Sequence, residues 1–174
     1  SDLHSPPPVS GGTLLVMRDG RTVVAADPDR DRVWITDRLT RQVRAIALSV
    51  GDEPGRLTEG EGGEVWIALR RGGAVLALDI AGGTVTSRHA LCPAPRGLAW
   101  DDARHELVVA CAGGELVSLP REGAPRVARI DDDLRDVVLW NGRRFVSRFR
   151  SAQLLEVSPD GEVLRRDAPD ARAT

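Results

Sequence analysis

The sequence predicts an all-β fold made of four repeats, each contributing four short antiparallel strands. Apolar runs recur at a spacing of about 40 residues, the runs are too short for helices, and stretches rich in Gly, Asp and Pro separate them. Repeats of this length with four strands each are typical of a β-propeller, in which the sheets stack face to face around an axis. We therefore expect a β-propeller-type domain of four blades, either complete or part of a larger ring.

Each unit begins with two recurring segments. The predicted first strands are TLLVMRD from Thr13, the more polar GRLTEGE from Gly55, RGLAWDD from Arg96 and RDVVLWN from Arg135. The predicted second strands are TVVAAD from Thr22, EVWIAL from Glu64, ELVVAC from Glu106 and RFVSRF from Arg144. Because the first and second strands recur at about the same spacing, they belong to one repeated unit.

Two further strands complete each unit. The third strands are RVWITD from Arg32, AVLALD from Ala74, ELVSLP from Glu115 and QLLEVS from Gln153. The fourth are QVRAIAL from Gln42, TVTSRHAL from Thr84, PRVARI from Pro125 and EVLRRDA from Glu162. The middle strands are apolar at consecutive positions, so both of their faces must be covered, whereas Val43 and Ala45 alternate with Arg44 as in an outer edge strand.

These units predict the domain organisation. Residues 1–11 form a proline-rich leader, and residues 12–174 form the propeller domain with blades at approximately 12–50, 51–92, 93–133 and 134–170. The segment SPPPVSGG of the leader is typical of an extended linker. Because the chain opens on Ser1 rather than methionine, we expect a processed or trimmed product.

Two stretches resemble the YVTN-type repeats of bacterial surface-layer-like propellers. They are DGRTVVAADPDRDRVWITDRLTRQVRAIALSVGDEP from Asp19 and APRGLAWDDARHELVVACAGGELVSLP from Ala94. Asp37 and Asp79 stand where that pattern has its aspartate, and Gly51 with Pro54 where it has its closing glycine and proline. The third and fourth units depart from it, with Pro120 and Ser158 at the aspartate position.

The resemblance implies a ring that is commonly seven-bladed, so four blades raise a problem of closure. Four blades of a larger ring would expose an apolar face at each end, which monomers seldom tolerate. Three solutions are open: a closed four-bladed ring, a second copy that completes an eight-bladed ring, or complementary blades supplied by another part of a longer protein.

The composition is that of a folded protein. The chain has 174 residues, 41% hydrophobic and 29% charged, with a net charge of -2. All 24 basic residues are arginine, which we attribute to a GC-rich genome. The net charge disfavours nucleic-acid binding. No window of about 20 apolar residues predicts a membrane span.

The cysteines and aromatic residues point to structural roles. Cys92 and Cys111 lack the spacing of redox, zinc or haem motifs, and two cysteines do not make a disulfide framework. Because Cys111 falls in a second strand, we expect an inert buried thiol, and its pairing with Cys92 stays open. Trp34 and Trp66 lie inside apolar strands, so we expect them to pack between blades.

Arginines provide the candidate binding site. Arg56, Arg96 and Arg135 stand near the starts of first strands, and Arg70, Arg71, Arg148 and Arg150 at the ends of second strands. If they share one mouth of the channel, they would attract carboxylate or phosphate groups. We select Arg56, Arg96, Arg135 and Arg148 as the anion-binding set. The alternative is that these arginines are solvated and paired with Asp52, Glu53, Asp133 and Asp136.

No motif predicts catalysis, a metal or a cofactor. DPDRD from Asp27 begins like a calcium loop, but Arg32 and Arg38 replace its glycine and glutamate, so we expect a hairpin turn. Asp131–Asp133 are expected to form a loop. The three histidines, His4, His89 and His105, do not suggest a metal cluster or a triad, and Ser147 and Ser151 have no recognisable base.

The sequence therefore favours a non-catalytic propeller scaffold that presents loops at a channel mouth to a ligand or protein partner. The resemblance also implies an alternative, the propeller portion of a haem- or quinone-linked oxidoreductase whose cofactor lies in another domain or chain. It further implies a bacterial protein of the periplasm or the extracellular space.

Overall fold

A computed structural model describes residues 12–169, which fold into four four-stranded antiparallel sheets in chain order. The predicted leader, residues 1–11, lies outside the described residues. Sheet 1 contains β1 (Leu14–Val16), β2 (Thr22–Asp27), β3 (Arg32–Asp37) and β4 (Val43–Ala47). Sheet 2 contains β5 (Pro54–Glu59), β6 (Glu64–Leu69), β7 (Ala74–Asp79) and β8 (Thr84–Ala90), with a 3₁₀ turn at Glu61–Gly63.

The last two sheets repeat this order. Sheet 3 contains β9 (Pro95–Asp101), β10 (Glu106–Cys111), β11 (Glu115–Pro120) and β12 (Arg126–Arg129). Sheet 4 contains β13 (Leu134–Trp140), β14 (Arg143–Arg148), β15 (Leu154–Val157) and β16 (Val163–Asp167). In each sheet the strands are hydrogen-bonded in sequence order, so the all-β prediction of four units of four strands is confirmed.

Aspartates fix the hairpin turns that follow the third strands of sheets 1 and 2. The Asp37 carboxylate accepts hydrogen bonds from the backbone N–H of Leu39 at 2.8 Å and of Thr40 at 3.0 Å. Asp79 accepts the corresponding bonds from Ala81 and Gly82. These bonds, and above all the Arg21 guanidinium, hold the pKa of Asp37 far below its ordinary value. The aspartates of the repeat pattern are therefore turn-forming residues here.

Each sheet packs its side chains on the next sheet in three apolar clusters. The first joins sheets 1 and 2 through residues such as Val24, Val33 and Ile67. The second joins sheets 2 and 3, and the third joins sheets 3 and 4. Trp66 and Trp100 are both 8% exposed and belong to the second cluster. Packing between blades therefore accounts for Trp66 as expected, while Trp34 is only half-buried.

The first strands of neighbouring sheets approach one another closely. A Cβ added at Gly97 in β9 would lie 2.7 Å from the Asp136 Cα and the Val137 nitrogen in β13. Only glycine fits this position, because any side chain would push the two strands apart. The contact holds the first strands of sheets 3 and 4 side by side.

The fourth unit differs by one residue from the prediction. Its second strand begins at Arg143 rather than Arg144, and Arg144 and Val146 face sheet 3. Because side chains alternate along a strand, a shift of one residue moves each of them to the opposite face. Phe145 consequently lies on the outer face of sheet 4, paired with Val138 and Glu156.

Arg144 is the largest fully buried side chain and forms an ion cluster between sheets 3 and 4. Its guanidinium contacts the carboxylates of Glu106 and Asp101, the Ser118 hydroxyl at 3.0 Å and the Pro159 carbonyl at 3.1 Å. Arg126 also binds Glu106, at 2.6 Å. Four partners thus bind the two terminal nitrogens of a charge that lies out of water, while the Arg144 Nε is buried without a hydrogen-bond partner.

The two cysteines form a disulfide, which corrects the expectation of a free buried thiol. The Cys92–Cys111 bond joins the segment that enters sheet 3 to the last residue of β10, and its Cα atoms are 6.3 Å apart. Both residues belong to the apolar cluster between sheets 2 and 3. The spacing of 19 residues does not by itself predict a disulfide, because the two cysteines meet only when β9 pairs with β10.

The first and last sheets each leave one face open. On sheet 1 the open side carries Leu14, Val16 and Val43, and on sheet 4 it carries Val138 and Trp140. The three clusters formed by the described residues link sheet 1 to 2, 2 to 3 and 3 to 4, and none joins sheet 4 to sheet 1. The alternative of a closed four-bladed ring is therefore wrong for residues 12–169.

A candidate anion-binding mouth

A small cavity lies where the first strands of all four sheets begin. It has a volume of about 150 Å³. Its lining residues are Gly12, Thr13, Gly55, Arg56, Arg70, Arg96 and Arg135. We call this cavity the arginine mouth.

Strand order explains why these side chains meet. Arg56, Arg96 and Arg135 each lie within the first three residues of β5, β9 and β13, so they occupy the same end of their sheets. Arg70 follows β6, whose last residue Leu69 pairs with Pro54 at the start of β5. The stem of Arg70 crosses Gly55, where an added Cβ would lie 3.1 Å from the Arg70 Cγ and Cδ.

The mouth carries more positive than negative charge. Arg56 forms an ion pair with Asp136, and Arg135 stacks over the Phe149 ring at 4.8 Å from its centre. Within residues 12–169, Arg70 and Arg96 form no salt bridge. Guanidinium groups without a protein carboxylate retain donors for an incoming anion.

Asp136 is the carboxylate that balances this charge in part. Burial, the largest influence, raises its pKa above the ordinary value of 3.8, although Arg56 and the Val137 N–H oppose this rise. The Val137 nitrogen donates to the Asp136 Oδ1 at 2.9 Å. Asp136 consequently gains a proton at a higher pH than an exposed aspartate, and the mouth then gains net positive charge.

Arg148 does not join the other three predicted residues. Its side chain donates to the Asp132 carbonyl at 3.0 Å and to the Gln153 side chain at 2.8 Å, and it pairs with Asp131 at 3.2 Å. Arg148 lies at the same end of the fold as the mouth, but these partners hold its side chain beside the loops that flank sheet 4. The structure therefore brings together Arg56, Arg96 and Arg135 with Arg70 in place of Arg148.

The alternative of paired, solvated arginines holds for some of the set. Asp136 pairs with Arg56, Arg71 lies 3.7 Å from Glu53, and Arg150 lies 4.0 Å from Asp133. Asp52, however, binds Arg88, at 2.7 Å. Arg70 and Arg96 remain outside these pairs, so the mouth is the place where positive charge accumulates.

A wider depression of about 600 Å³ lies between hairpins of sheets 2 and 3. Arg121 lies 3.6 Å from Glu61 and 3.5 Å from Glu64, while His105 Nδ1 lies 3.3 Å from Glu61. These side chains pair with one another and are largely exposed to solvent. They therefore leave fewer unpaired charged groups for a ligand than the arginine mouth does.

The acidic motifs are loop structures, as expected. DPDRD forms the β2–β3 turn, and the Asp31 carboxylate accepts the backbone N–H groups of Gly51 and Glu53, each at 2.8 Å. These bonds lower the pKa of Asp31. Asp131–Asp133 lie between β12 and β13. Across residues 12–169, no group of three or more His, Cys, Asp and Glu side chains is placed to hold a metal ion.

The fold is similar to that of solved propeller-containing proteins. A catalytically inactive virginiamycin B lyase from Staphylococcus aureus, solved with quinupristin, matches with a TM-score of 0.80 at 14% identity, over 92% of this chain and 56% of that chain. Dihydro-heme d1 dehydrogenase NirN in complex with DHE matches with a TM-score of 0.69 at 22% identity, over 87% and 35%. Kuenenia stuttgartiensis hydrazine synthase matches with a TM-score of 0.76 at 16% identity, over 96% and 51%.

These likenesses establish the β-propeller-type fold, here as a partial ring of four blades. The chain spans a little over half the length of the lyase chains. No family model and no curated protein matches the sequence. No helix in the described part of the chain is long and apolar enough to cross a membrane.

Proposed function

We propose that this chain is a non-catalytic propeller scaffold whose arginine mouth binds a small anion, a carboxylate or a phosphate group of a ligand or protein partner. The observation that carries the proposal is the convergence of Arg56, Arg70, Arg96 and Arg135 on one cavity. Planar guanidinium groups bind carboxylates and phosphates through two parallel hydrogen bonds.

Calorimetric titration at low ionic strength tests this proposal, with pyrophosphate and citrate as separate probes. Arg96→Ala and Arg70→Ala should each weaken binding by about tenfold to a hundredfold, since each removes a charge-assisted hydrogen bond worth roughly 1.5–3 kcal/mol. Arg71→Ala is the matched control, because Arg71 is the neighbour of Arg70, carries the same charge and lies outside the mouth. The proposal fails if the unmodified protein binds neither probe, or if all three variants lose the same affinity.

The finer family assignment is also a proposal. The YVTN-type pattern is supported by the turn-forming roles of Asp37 and Asp79 and by the four-stranded unit. Ser158 in the fourth unit makes a related contact, because its hydroxyl accepts the Glu162 N–H at 3.0 Å. A profile built from close relatives of this chain should recover the YVTN-type families, and recovery of another propeller family instead would contradict the assignment.

A second candidate function is the propeller portion of a haem- or quinone-linked oxidoreductase, with the cofactor on another domain or chain. It is favoured by the 22% identity to dihydro-heme d1 dehydrogenase NirN, the highest among the three structures described above. The visible absorption spectrum of protein purified with its natural associates separates the two functions. If a haem or quinone copurifies with the chain and its absorption bands are present, the second function is favoured. If the natural associates are present and these bands are absent, the scaffold is favoured.

We also propose that the protein works in an oxidising compartment, the bacterial periplasm or the extracellular space. The Cys92–Cys111 disulfide supports this location, because such bonds persist mainly outside the reducing cytosol. Alkylation of the protein unfolded in denaturant without a reducing agent, followed by mass spectrometry, should leave both cysteines unlabelled. Full labelling of both residues in native extracts would contradict this location.

A further inference from the structure

Sheet 1 and sheet 4, at the two ends of the propeller arc, each expose one apolar face. We define the first open face as Leu14, Val16, Val23, Ala25, Trp34 and Val43 on sheet 1. The last open face is Val138, Trp140, Phe145 and Leu154 on sheet 4. Leu14 is 50% exposed, Val138 57% and Trp140 64%. Monomeric proteins rarely expose two apolar sheet faces, so each face needs a cover.

Strand register shows that each face is continuous. On sheet 1, Leu14 pairs with Ala25 and Ala25 with Trp34, which places all three on one side of the sheet. On sheet 4, Val138 pairs with Phe145. Directly opposed residues of antiparallel strands point to the same face, so these side chains form unbroken apolar rows.

The first open face has the pattern of a face that packs on a preceding blade. By position in the repeat, Val23, Ala25 and Trp34 correspond to Val65, Ile67 and Leu76 of sheet 2. Those three residues are 0%, 0% and 3% exposed and belong to the core between sheets 1 and 2. The equivalent residues of sheet 1 have no preceding sheet among the described residues.

The last open face has the opposite pattern, that of a face that packs on a following blade. Phe145 corresponds to Trp66 of sheet 2 and to Val108 of sheet 3, and both of these pack on the next sheet. The last open face also contains a concavity of about 390 Å³, lined by its four residues with Asp136 and Ser147. A following blade would fill it.

We propose that the cover is a second copy of this chain, with the last open face of each copy packed on the first open face of the other. Two such contacts close a ring of eight blades around a two-fold axis along the channel. Trp34, the largest side chain of the first open face, would enter the concavity of the last. Because the two-fold rotation closes the ring, both open faces of both copies become buried and no apolar face stays exposed.

Two further observations favour this occupant. The arc spans 51–58% of the hydrazine synthase and lyase chains it resembles, so a second arc supplies about as much structure as is missing. Arg32 pairs with Asp27 in β-sheet register at the edge of the first open face, and it forms no salt bridge within residues 12–169. Asp167 lies at the corresponding end of the last open face, where Arg165 binds its Oδ1 at 2.8 Å, and its other oxygen would accept a hydrogen bond from Arg32 of the second copy.

The mass of the protein in solution, measured by light scattering after size-exclusion chromatography, tests the ring. We expect twice the 18.8 kDa of one chain. Val138→Arg blocks the last open face and Leu14→Arg blocks the first, so each variant alone should have the mass of one chain. Val127→Arg is the control, because Val127 is 62% exposed on β12 and lies on neither face. It should keep the double mass.

Mixing the two blocked variants gives the sharpest result. The intact first face of the Val138→Arg chain can pack on the intact last face of the Leu14→Arg chain, so the mixture should contain a species of double mass. Its second contact brings the two introduced arginines together and stays open, so this species should dissociate at a higher protein concentration than the unmodified protein does. Trp140→Arg replaces Val138→Arg if circular dichroism shows that the latter does not fold. A mass of one chain for the unmodified protein means that another occupant covers the faces and overturns the proposal. A double mass for Leu14→Arg alone, which indicates last-to-last pairing, also overturns it, as does an open series of larger assemblies.

Discussion

At the scale of single residues, Asp136 controls the charge of the arginine mouth. Its raised pKa means that it becomes neutral as the pH falls, while the guanidinium groups stay charged. Binding of sulfate, which remains ionised, should therefore strengthen as the pH falls through the pKa of Asp136. Asp136→Asn should bind sulfate about threefold or more tightly at neutral pH, because it removes a nearby negative charge. Calorimetric titration at a series of pH values, from neutral pH downward, measures both effects.

The control for this prediction is Asp160→Asn, since Asp160 is an exposed carboxylate outside the mouth. It should leave the pH dependence unchanged. Equal pH dependence in the unmodified protein and in Asp136→Asn would assign the titration to another group.

Arg144 is a buried charge at the contact between sheets 3 and 4. It is 2% exposed, and its removal leaves the carboxylate of Glu106, 1% exposed, without its buried partner. Arg144→Met should therefore lower the free energy of unfolding by about 3 kcal/mol or more. Denaturant unfolding measures this loss. The double variant Arg144→Met, Glu106→Gln should lose less than Arg144→Met alone, and an equal or larger loss would mean that the charge pairing is not the cause.

At the scale of elements, apolar periodicity predicted the strands because most buried positions carry apolar side chains. β2, β3, β6, β7, β10 and β11 begin where the pattern placed them. The second strand of the fourth unit begins one residue before its predicted position, since Arg144 fills a buried position that hydropathy assigns to an apolar residue. Its partners Glu106 and Asp101 lie 38 and 43 residues away in sequence, so local pattern does not reveal the pairing.

The candidate site was predictable to the extent that strand position determines it. The start of each first strand lies at one end of the fold, so the positions of Arg56, Arg96 and Arg135 alone implied that they meet. Side-chain direction was not predictable. Arg148, the last residue of a second strand, lies at the same end of the fold, but its side chain binds Gln153 and Asp131 instead of entering the mouth.

The disulfide is the element-scale feature with the clearest effect on stability. It ties the entry of sheet 3 to β10 across 19 residues of sequence. Closing a loop of this size restricts the unfolded chain and stabilises the fold by about 3 kcal/mol. The double variant Cys92→Ser, Cys111→Ser should lose about that much, as measured by urea unfolding. A reducing agent should destabilise the unmodified protein and leave the variant unaffected, and no effect on either would contradict a structural role for the bond.

At the scale of the whole molecule, the proposed ring and the proposed site reinforce each other. A two-fold axis along the channel gives both arcs the same polarity, so the two arginine mouths would lie at one end of one channel. The positive potential there would be larger than that of a single arc, because charges of one sign in a confined opening focus the field. Blocking the ring with Val138→Arg should thus weaken anion binding without removing it.

The ring also makes stability depend on concentration. If unfolding separates two chains, mass action raises the melting temperature as the protein concentration rises. For a chain of 174 residues, a hundredfold increase should raise it by about 3 to 5 °C. Scanning calorimetry of the unmodified protein and of Val138→Arg over the same concentrations measures this. The variant should melt at a lower temperature that does not change with concentration, since its sheets unfold as a single arc. A concentration-independent melting temperature in the unmodified protein would show that its open faces are covered within one chain or not at all.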